Sequence, residues 1–301
     1  MANSEPIIHI TGESLLPPVI ESWGLYLQDQ GKSPHTVKAL LADMYLFAGF
    51  LPPTQTISKI KTEEINAFLS WLENGRGVPC SPKTLSRRVT SIKSFFRWLF
   101  QYGRIPSDPA EKVLQKSVIS PIPEVLTGEE IEKIIFVADA SRKAKTPDSR
   151  PSALFGLLIE TGIKKGECLA LGMNHIDTEN PGNPFVFVRY ANPASRYKER
   201  KILLSSDWVE VFEEYKSQYQ LTDKLFPWSP RRLEYLLEDL GVESGLGKHL
   251  SFDMCRWSSG LVDWKNGVES EKIRQKLGIS KIQWREISLK LRQLAGETTT
   301  S

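Results

Sequence analysis

The sequence has few of the residues that build disulfides and metal sites. Its three cysteines, Cys80, Cys168 and Cys255, are odd in number and far apart, which excludes a disulfide framework and a CxxC metal motif. The four histidines are equally scattered, so we expect neither a bound metal nor a cofactor. The chain also has no tyrosine after Tyr235.

Long apolar runs are absent as well. No stretch approaches the roughly 18 consecutive apolar residues that indicate a membrane span, and the first residues lack the basic and apolar regions of a signal peptide. Hydrophobic residues make up 40% and charged residues 25% of the 301 residues, which is typical of a globular protein with room for two domains. We therefore expect a two-domain cytoplasmic protein without a membrane partner.

The net charge of +3 is unevenly distributed. Residues 1–119 contain 13 Lys and Arg against 10 Asp and Glu, whereas the other 182 residues balance at 26 against 26. From Asn74 to Ser107 there are seven basic residues and no acid. Because solvated helices normally mix both signs, this segment is the strongest candidate for a phosphate-binding surface.

The same segment has the pattern of an amphipathic helix. Apolar residues at spacings of three and four predict a core-facing stripe, which comprises Leu85, Val89, Ile92, Phe96 and Leu99. Cations and hydroxyls share the opposite face, at Lys83, Arg87, Thr90, Ser94 and Arg97. An ordinary solvated basic face is the alternative, but the absence of acids favours contact with nucleic-acid phosphates.

Helix-capping residues, prolines and the periodicity of apolar residues predict where the helices and strands lie. Helices beginning near Leu15, His35 and Thr62 join the basic helix in a four-helix domain. After the proline-containing sequence VISPIP, helices surround one β-hairpin formed by residues 185–190 and 201–204. The predicted organisation is a flexible N-terminus at 1–14, a helical domain at 15–117, a linker at 118–125, a mainly helical domain at 126–295 and a frayed tail at 296–301.

Several segments resemble the tyrosine recombinases, also called phage-integrase-type recombinases. Two segments are similar to the SAM-like core-binding domain, Gly31–Val37 and Ser81–Pro109. Glu124–Glu130 is similar to the start of the catalytic domain. Two further segments are similar to motif regions of the catalytic domain, Thr161–Leu171 and Asn266–Gly278. The resemblance covers about residues 15–290. It implies a mainly α protein with a four-helix core-binding domain and an α+β catalytic-type domain that carries a small β-hairpin or sheet. Such proteins hold duplex DNA between their two domains.

In that family a tyrosine attacks a DNA phosphodiester while cations and histidines stabilise the developing charge. The resemblance assigns six residues to the active-site positions: Lys164, Glu167, Asp253, Arg256, Ile279 and Ser288. Only Glu167 and Arg256 match the family. Lys164 replaces an arginine, so the charge remains but the two-pronged phosphate contact of a guanidinium is lost.

Asp253 stands where the family has a histidine. Its carboxylate would then lie near Glu167, and two close acids repel each other and a phosphate. One of the two acids would then need to be protonated or to be paired with Lys164 or Arg256. The resemblance therefore implies an internal ion-pair cluster at this place.

The remaining replacements remove further chemical groups. Ile279 replaces a histidine or tryptophan, and Ser288 replaces the nucleophilic tyrosine. A serine nucleophile would need an activating base, and Ile279 removes one candidate. The position of the catalytic lysine stays open among Ser195, Arg196 and Lys198.

The resemblance and the basic helix together imply a set of DNA contacts, namely Lys83, Arg87, Arg88, Thr90, Ser94, Arg97, Lys198, Arg200 and Arg256.

We expect a DNA-associated, duplex-binding protein that does not cleave DNA by itself and acts as a regulatory or architectural partner. It would form homo-oligomers on DNA or hetero-oligomers with an active recombinase. The alternative is a recombinase subunit whose hetero-assembly partner supplies the nucleophile. A protein scaffold without DNA would leave the acid-free helix unexplained.

Overall fold

The computed structural model describes residues 10–115 and 121–297, and the chain divides into two compact units, Met1–Pro121 and Ile122–Ser301. Parts of four predicted segments lie outside the described residues: 1–9 of the flexible N-terminus, 116–117 of the first helical domain, 118–120 of the linker and 298–301 of the frayed tail. In the two described ranges, no helix has both the length and the apolar character needed to cross a bilayer.

Four helices build the first unit: α1 (Leu16–Asp29), α2 (Pro34–Phe50), α3 (Thr62–Ser70) and α4 (Pro82–Gln101). The starts of α2 and α4 are fixed by local chemistry. Ser33 and Ser81 each accept a hydrogen bond from the backbone N–H three residues later, and a proline follows each serine. The predicted four-helix domain is confirmed.

An aromatic core holds these helices together. Edge-to-face pairs join Trp23 to Phe95 and Phe47 to Phe68, with ring centroids 5.3 and 5.1 Å apart. The apolar stripe predicted for the basic helix packs on this core, with Val89, Ile92, Phe96 and Leu99 buried and Leu85 half-buried. The opposite face of α4 is therefore turned to solvent.

The second unit is also mainly helical. Its helices are α5 (Gly128–Arg142), α6 (Arg150–Thr161), α7 (Lys165–Ala170), α8 (Ser206–Tyr219), α9 (Pro230–Glu243), α10 (Phe252–Lys265), α11 (Ser270–Lys276) and α12 (Lys281–Leu294). Helix α6 is central, because most of its residues are buried. The larger core of the unit includes side chains from α5, α6, α8, α9 and α10.

One antiparallel sheet lies in this unit, with β1 (Ile176–Asp177), β2 (Phe185–Val188) and β3 (Arg200–Leu203) in that order. Val186 pairs with Ile176 on one side and with Ile202 on the other. Because side chains alternate along a strand, Val186, Val188 and Ile202 point into the core. The predicted hairpin and the predicted fold class are confirmed. Strand β1 was not predicted and extends the hairpin to a three-stranded sheet.

A smaller apolar cluster joins α10, α11 and α12, and it comprises Leu261, Ile273, Leu277, Ile279 and Leu291. It places the end of α11 beside the start of α12.

Candidate functional site

Glu167 is bound by Arg200 and not by the cations that the sequence predicted. The two guanidinium nitrogens Nη1 and Nη2 lie 3.0 and 2.9 Å from Oε1 and Oε2, and the two side chains are 9% and 3% exposed for Arg200 and Glu167. The Tyr190 hydroxyl and the backbone N–H of Lys164 donate to the same carboxylate. Burial alone would raise the pKa of Glu167, but these donors and the charge of Arg200 lower it to about 2.

The orientation of Glu167 has a local cause. It is the third residue of α7, and its carboxylate accepts from the N–H of Lys164, the residue that precedes the helix. This is one half of a capping box, which holds an acid at the positive end of a helix. The carboxylate is thereby fixed where Arg200 can reach it.

Four cationic side chains donate to four consecutive backbone carbonyls after α11, which we call the 276–279 carbonyl row. The pairs are Arg200 Nε to Lys276 at 2.6 Å, Arg256 Nη2 to Leu277 at 2.5 Å, Lys164 Nζ to Gly278 at 3.4 Å and Arg274 Nη1 to Ile279 at 2.6 Å. Carbonyls at a helix end lack partners within the helix and carry partial negative charge. The row therefore attracts these four cationic side chains.

Gly278 allows this arrangement. Its φ of +58° is left-handed, and a Cβ at this position would lie 2.6 Å from Arg200 Nη1. Any other residue would be strained by its backbone and would collide with the guanidinium.

Arg256 links two helix ends. Besides the Leu277 carbonyl, its guanidinium donates to the carbonyl of Gly162, the left-handed residue that ends α6. Burial is the main cause that lowers the pKa of Arg256 to about 10; Arg200 lowers it further and Glu167 opposes the shift. Arg256 thus stabilises the main chain on both sides of the site.

Asp253 takes no part in an ion-pair cluster, so that prediction is wrong. It lies in the first turn of α10, with its side chain exposed. It has no salt bridge to any residue in the described part of the chain. Its position in the first turn places its carboxylate at the positive end of α10, and its charge, without a salt bridge, opposes the burial that lowers the pKa of Arg256. Asp253 and Arg256 line a cavity of about 830 Å³, together with Lys164, Lys165, Arg231, Glu234, Tyr235, Glu238 and His249.

Lys198 acts on Lys164 electrostatically. Burial lowers the pKa of Lys164; the charges of Arg256, Lys198 and Arg200 add to this effect, and Glu167 opposes it. In the loop between β2 and β3, Lys198 is half-buried at the end of a short 3-10 turn, Pro193–Lys198. Ser195 is also half-buried and Arg196 is exposed.

The two remaining active-site candidates carry no reactive arrangement. Ile279 is buried in the cluster that joins α10, α11 and α12. The Ser288 hydroxyl donates to the carbonyl of Arg285 at 3.2 Å, within its own helix. Among the described residues this is its one hydrogen bond, so no base is placed to activate it.

On the first unit, an acid reaches the basic face of α4. Asp43 of α2 is 3% exposed; its Oδ1 lies 2.8 Å from Arg87 Nη2 and its Oδ2 lies 2.7 Å from Ser91 Oγ. The segment Asn74–Ser107 contains no acid, but the fold brings the carboxylate of Asp43 against its basic residues. Arg88 is only 12% exposed, lies 3.6 Å from Asp43 and donates to Cys80 Sγ at 3.4 Å.

Two of the predicted DNA contacts have their charge engaged within the protein, and the whole set of contacts stays a prediction. Arg88 and Arg200 have nearly buried guanidiniums that are bound within the protein, so neither offers a free charge to a ligand. Lys83 and Arg97 are exposed and, within the described ranges, form no salt bridge. Thr90 is exposed and accepts from Gln115 at 2.8 Å, while Ser94 is half-buried.

Comparisons with known proteins agree with this architecture. A sequence model described as "Phage integrase, N-terminal SAM-like domain" matches residues 20–103. Tyrosine recombinase XerD of Listeria innocua is 24% identical over 281 residues, covering 86% of this chain and 89% of that protein. Tyrosine recombinase XerC of Lacticaseibacillus casei is 24% identical over 269 residues, covering 85% and 87%. The chain is thus similar to the tyrosine recombinases XerD and XerC over most of its length.

Solved structures of tyrosine recombinases share the fold. XerH recombinase in a post-cleavage complex with its difH substrate matches at a TM-score of 0.70 and 16% identity, covering 95% of this chain and 90% of that one. A λ integrase tetramer on a Holliday junction also matches at 0.70 and 16%, covering 91% and 77%. At this identity the match concerns the fold alone.

Sequence reasoning missed the inward roles of Arg200 and Tyr190. Strand alternation could have found both, because Arg200 is two residues before the inward Ile202 and Tyr190 is two residues after the inward Val188. The assignment of Lys164, Glu167, Asp253, Arg256, Ile279 and Ser288 to tyrosine recombinase active-site positions stays a prediction. No feature of the sequence predicted that the 276–279 carbonyl row would accept hydrogen bonds from cationic side chains.

Proposed function

We propose that the chain binds duplex DNA, does not cleave it by itself, and acts as a regulatory or architectural partner on DNA. The related folds of λ integrase and XerH were solved on DNA, λ integrase as a tetramer. We extend that setting to this chain as a homo-oligomer on DNA or a hetero-oligomer with an active recombinase. It would act where DNA is, in the cytoplasm.

One observation carries the proposal: the cations of the site are already bound to the 276–279 carbonyl row. Phosphoryl transfer depends on charges that are placed to meet the developing negative charge of the transition state. Here Arg200, Arg256 and Lys164 donate to backbone oxygens instead. Ser288 adds a hydroxyl without a base, so both the nucleophile and the stabilising charges are compromised.

Binding does not require these groups. Lys83 and Arg97 on α4 are exposed and, within the described residues, free of salt bridges, and Arg87 is 48% exposed although it is paired with Asp43. Exposed cations bind phosphates irrespective of sequence and release counterions. DNA binding and DNA cleavage therefore rest on separate parts of the molecule.

Cleavage is tested with a nicked suicide substrate, on which a nucleophilic residue would stay covalently attached. Purified protein alone should give no adduct on denaturing gels, whereas a relative that retains its tyrosine serves as the positive control. A covalent adduct with this chain alone would overturn the proposal.

Binding is tested separately with random duplex DNA. The logarithm of affinity should fall linearly with the logarithm of salt concentration, with a slope of about 0.9 for each phosphate contacted. Affinity that does not change with salt would exclude the phosphate contacts even if cleavage is absent.

The retained Arg256 and the cavity of about 830 Å³ beside it favour a second candidate, a recombinase subunit whose nucleophile comes from a different chain. To distinguish the two candidate functions, the protein is mixed with a tyrosine-bearing recombinase on the suicide substrate, and the position of covalent adducts is determined. Adducts at the DNA half-site bound by this chain support the second candidate, and adducts only at the partner's half-site support the architectural role.

A further inference from the structure

A groove on the second unit lies between α5, α6 and α8, and we call it the acidic groove. It encloses a cavity of about 350 Å³. Its apolar lining comprises Ile135, Phe155, Ile159, Trp208 and Val211. Ile135 is 43% exposed, and the groove is open to solvent along α5. A cavity of this size accommodates one or two large apolar side chains, at the lower end of the range of about 300–1,000 Å³ for ligand pockets.

The rim of the groove is negatively charged. Four acids line it, namely Asp139, Glu160, Asp207 and Glu210. The single cation in the lining is Arg142, and it is already bound by Asp139 at 3.5 Å and by Glu214 at 3.3 Å. The charge at the rim therefore suits a basic ligand and repels the phosphates of DNA.

Two polar atoms in the groove wall, Arg142 Nε and Ser152 Oγ, are buried and have no hydrogen-bond partner within the part of the chain that the structure describes. Ser152 is 8% exposed. An unpaired buried polar group costs about 1–3 kcal/mol. An acceptor brought by an occupant, such as a backbone carbonyl, would satisfy them.

We propose that the acidic groove binds a basic segment of a partner polypeptide. One large apolar side chain of that segment fills the cavity, and lysines or arginines flank it against Asp207, Glu210 and Asp139. Amphipathic segments commonly bind grooves in this way, with an apolar anchor in the pocket and charges at the rim. The site is separate from the proposed DNA contacts, since none of them lines the groove.

The probe is a fluorescein-labelled amphipathic peptide of about 14 residues, with leucines on one face and lysines on the other. A matched peptide has every lysine replaced by glutamate. Fluorescence anisotropy with the full chain should show binding of the lysine peptide and no binding of the glutamate peptide.

Charge reversal at the rim provides the decisive variant. The double substitution Asp207→Lys and Glu210→Lys should weaken binding of the lysine peptide by about tenfold or more and create binding of the glutamate peptide. Glu132→Lys is the matched control, because Glu132 is an exposed acid of α5 that does not line the groove. Its lysine-peptide affinity should equal that of the unsubstituted chain.

An apolar variant tests the anchor. Ile135→Asn should leave the fold intact, because Ile135 is 43% exposed, yet it should weaken binding of the lysine peptide by removing an apolar contact without adding charge. Equal binding of both peptides, or lysine-peptide binding that is unchanged by rim reversal and by Ile135→Asn, would overturn the proposal. Duplex-DNA affinity, measured on the same preparations, reports on the proposed function independently.

Discussion

Arg200 and Glu167 form a bidentate ion pair that is nearly buried, with nitrogen–oxygen distances of 3.0 and 2.9 Å. Through its Nε, the same guanidinium also donates to the carbonyl of Lys276. One side chain of β3 therefore connects the start of α7 to the end of α11. The guanidinium of Arg200 is therefore part of the internal support of the second unit.

Arg200→Ala should destabilise the second unit. Removal of one partner of a buried pair leaves an uncompensated charge and costs about 3–5 kcal/mol. The measurement is the free energy of unfolding from urea titration. Lys216→Ala is the control, because its pair with Glu213 is about half exposed on both sides and should contribute less than about 1 kcal/mol. Equal losses for the two variants would contradict the structural role of Arg200.

Stability should decrease as pH falls from 4.5 toward 2, in part because of Glu167. Its folded-state pKa of about 2 lies below the ordinary value of 4.5, so the unfolded state binds more protons within this window. The contribution is fully present above pH 4.5 and is lost as the pH approaches 2. Glu167→Gln should reduce the slope of unfolding free energy against pH in this window. An unchanged slope would show that Glu167 titrates normally.

Ser288→Tyr should not restore cleavage. The new phenol would lie on α12, while Arg200, Arg256 and Lys164 would still donate to the carbonyl row. Transition-state charge would stay unstabilised. The suicide-substrate assay with the variant checks this, and an adduct from this single substitution would mean that the cations leave the row when DNA binds.

Asp43→Asn should have opposite effects on stability and on DNA binding. It leaves the nearly buried Arg88 without its acid, which costs about 3 kcal/mol, and it releases the charge of Arg87, which is 48% exposed. Urea titration should show the loss of stability, and anisotropy at low salt should show tighter duplex binding. Unchanged affinity in the folded variant would place Arg87 away from the DNA.

Lys83→Gln and Arg97→Gln should each weaken duplex binding for all DNA sequences and lower the salt slope by about 1. Lys59→Gln, an exposed lysine outside α4, is the control. A loss confined to one DNA sequence would indicate base recognition instead of phosphate contact.

The helices of the first unit could be predicted because their signals are local. Ser33 and Ser81, each followed by proline, determine where α2 and α4 begin, and apolar spacing determines which face of α4 is buried. The hairpin was also predicted, whereas β1 has two residues and no periodicity to detect.

The site was less predictable because its contacts join distant parts of the chain. Asp43 and Arg87 are 44 residues apart, and Arg200 and Lys276 are 76 apart. The predicted acid cluster failed since sequence position could not show that Asp253 is exposed while Arg200 turns inward to Glu167. Every residue has a backbone carbonyl, so the residue types cannot show that the carbonyls of residues 276–279 accept hydrogen bonds from cationic side chains.

Gly278 makes two distant positions interdependent. Since a Cβ there would lie 2.6 Å from Arg200 Nη1, a side chain at 278 would force the guanidinium at 200 to move from its present place. In an alignment of homologues, the two positions should covary. Chains that keep both residues can form the same inward pair, and chains that have lost the glycine must satisfy the acid of α7 by another donor.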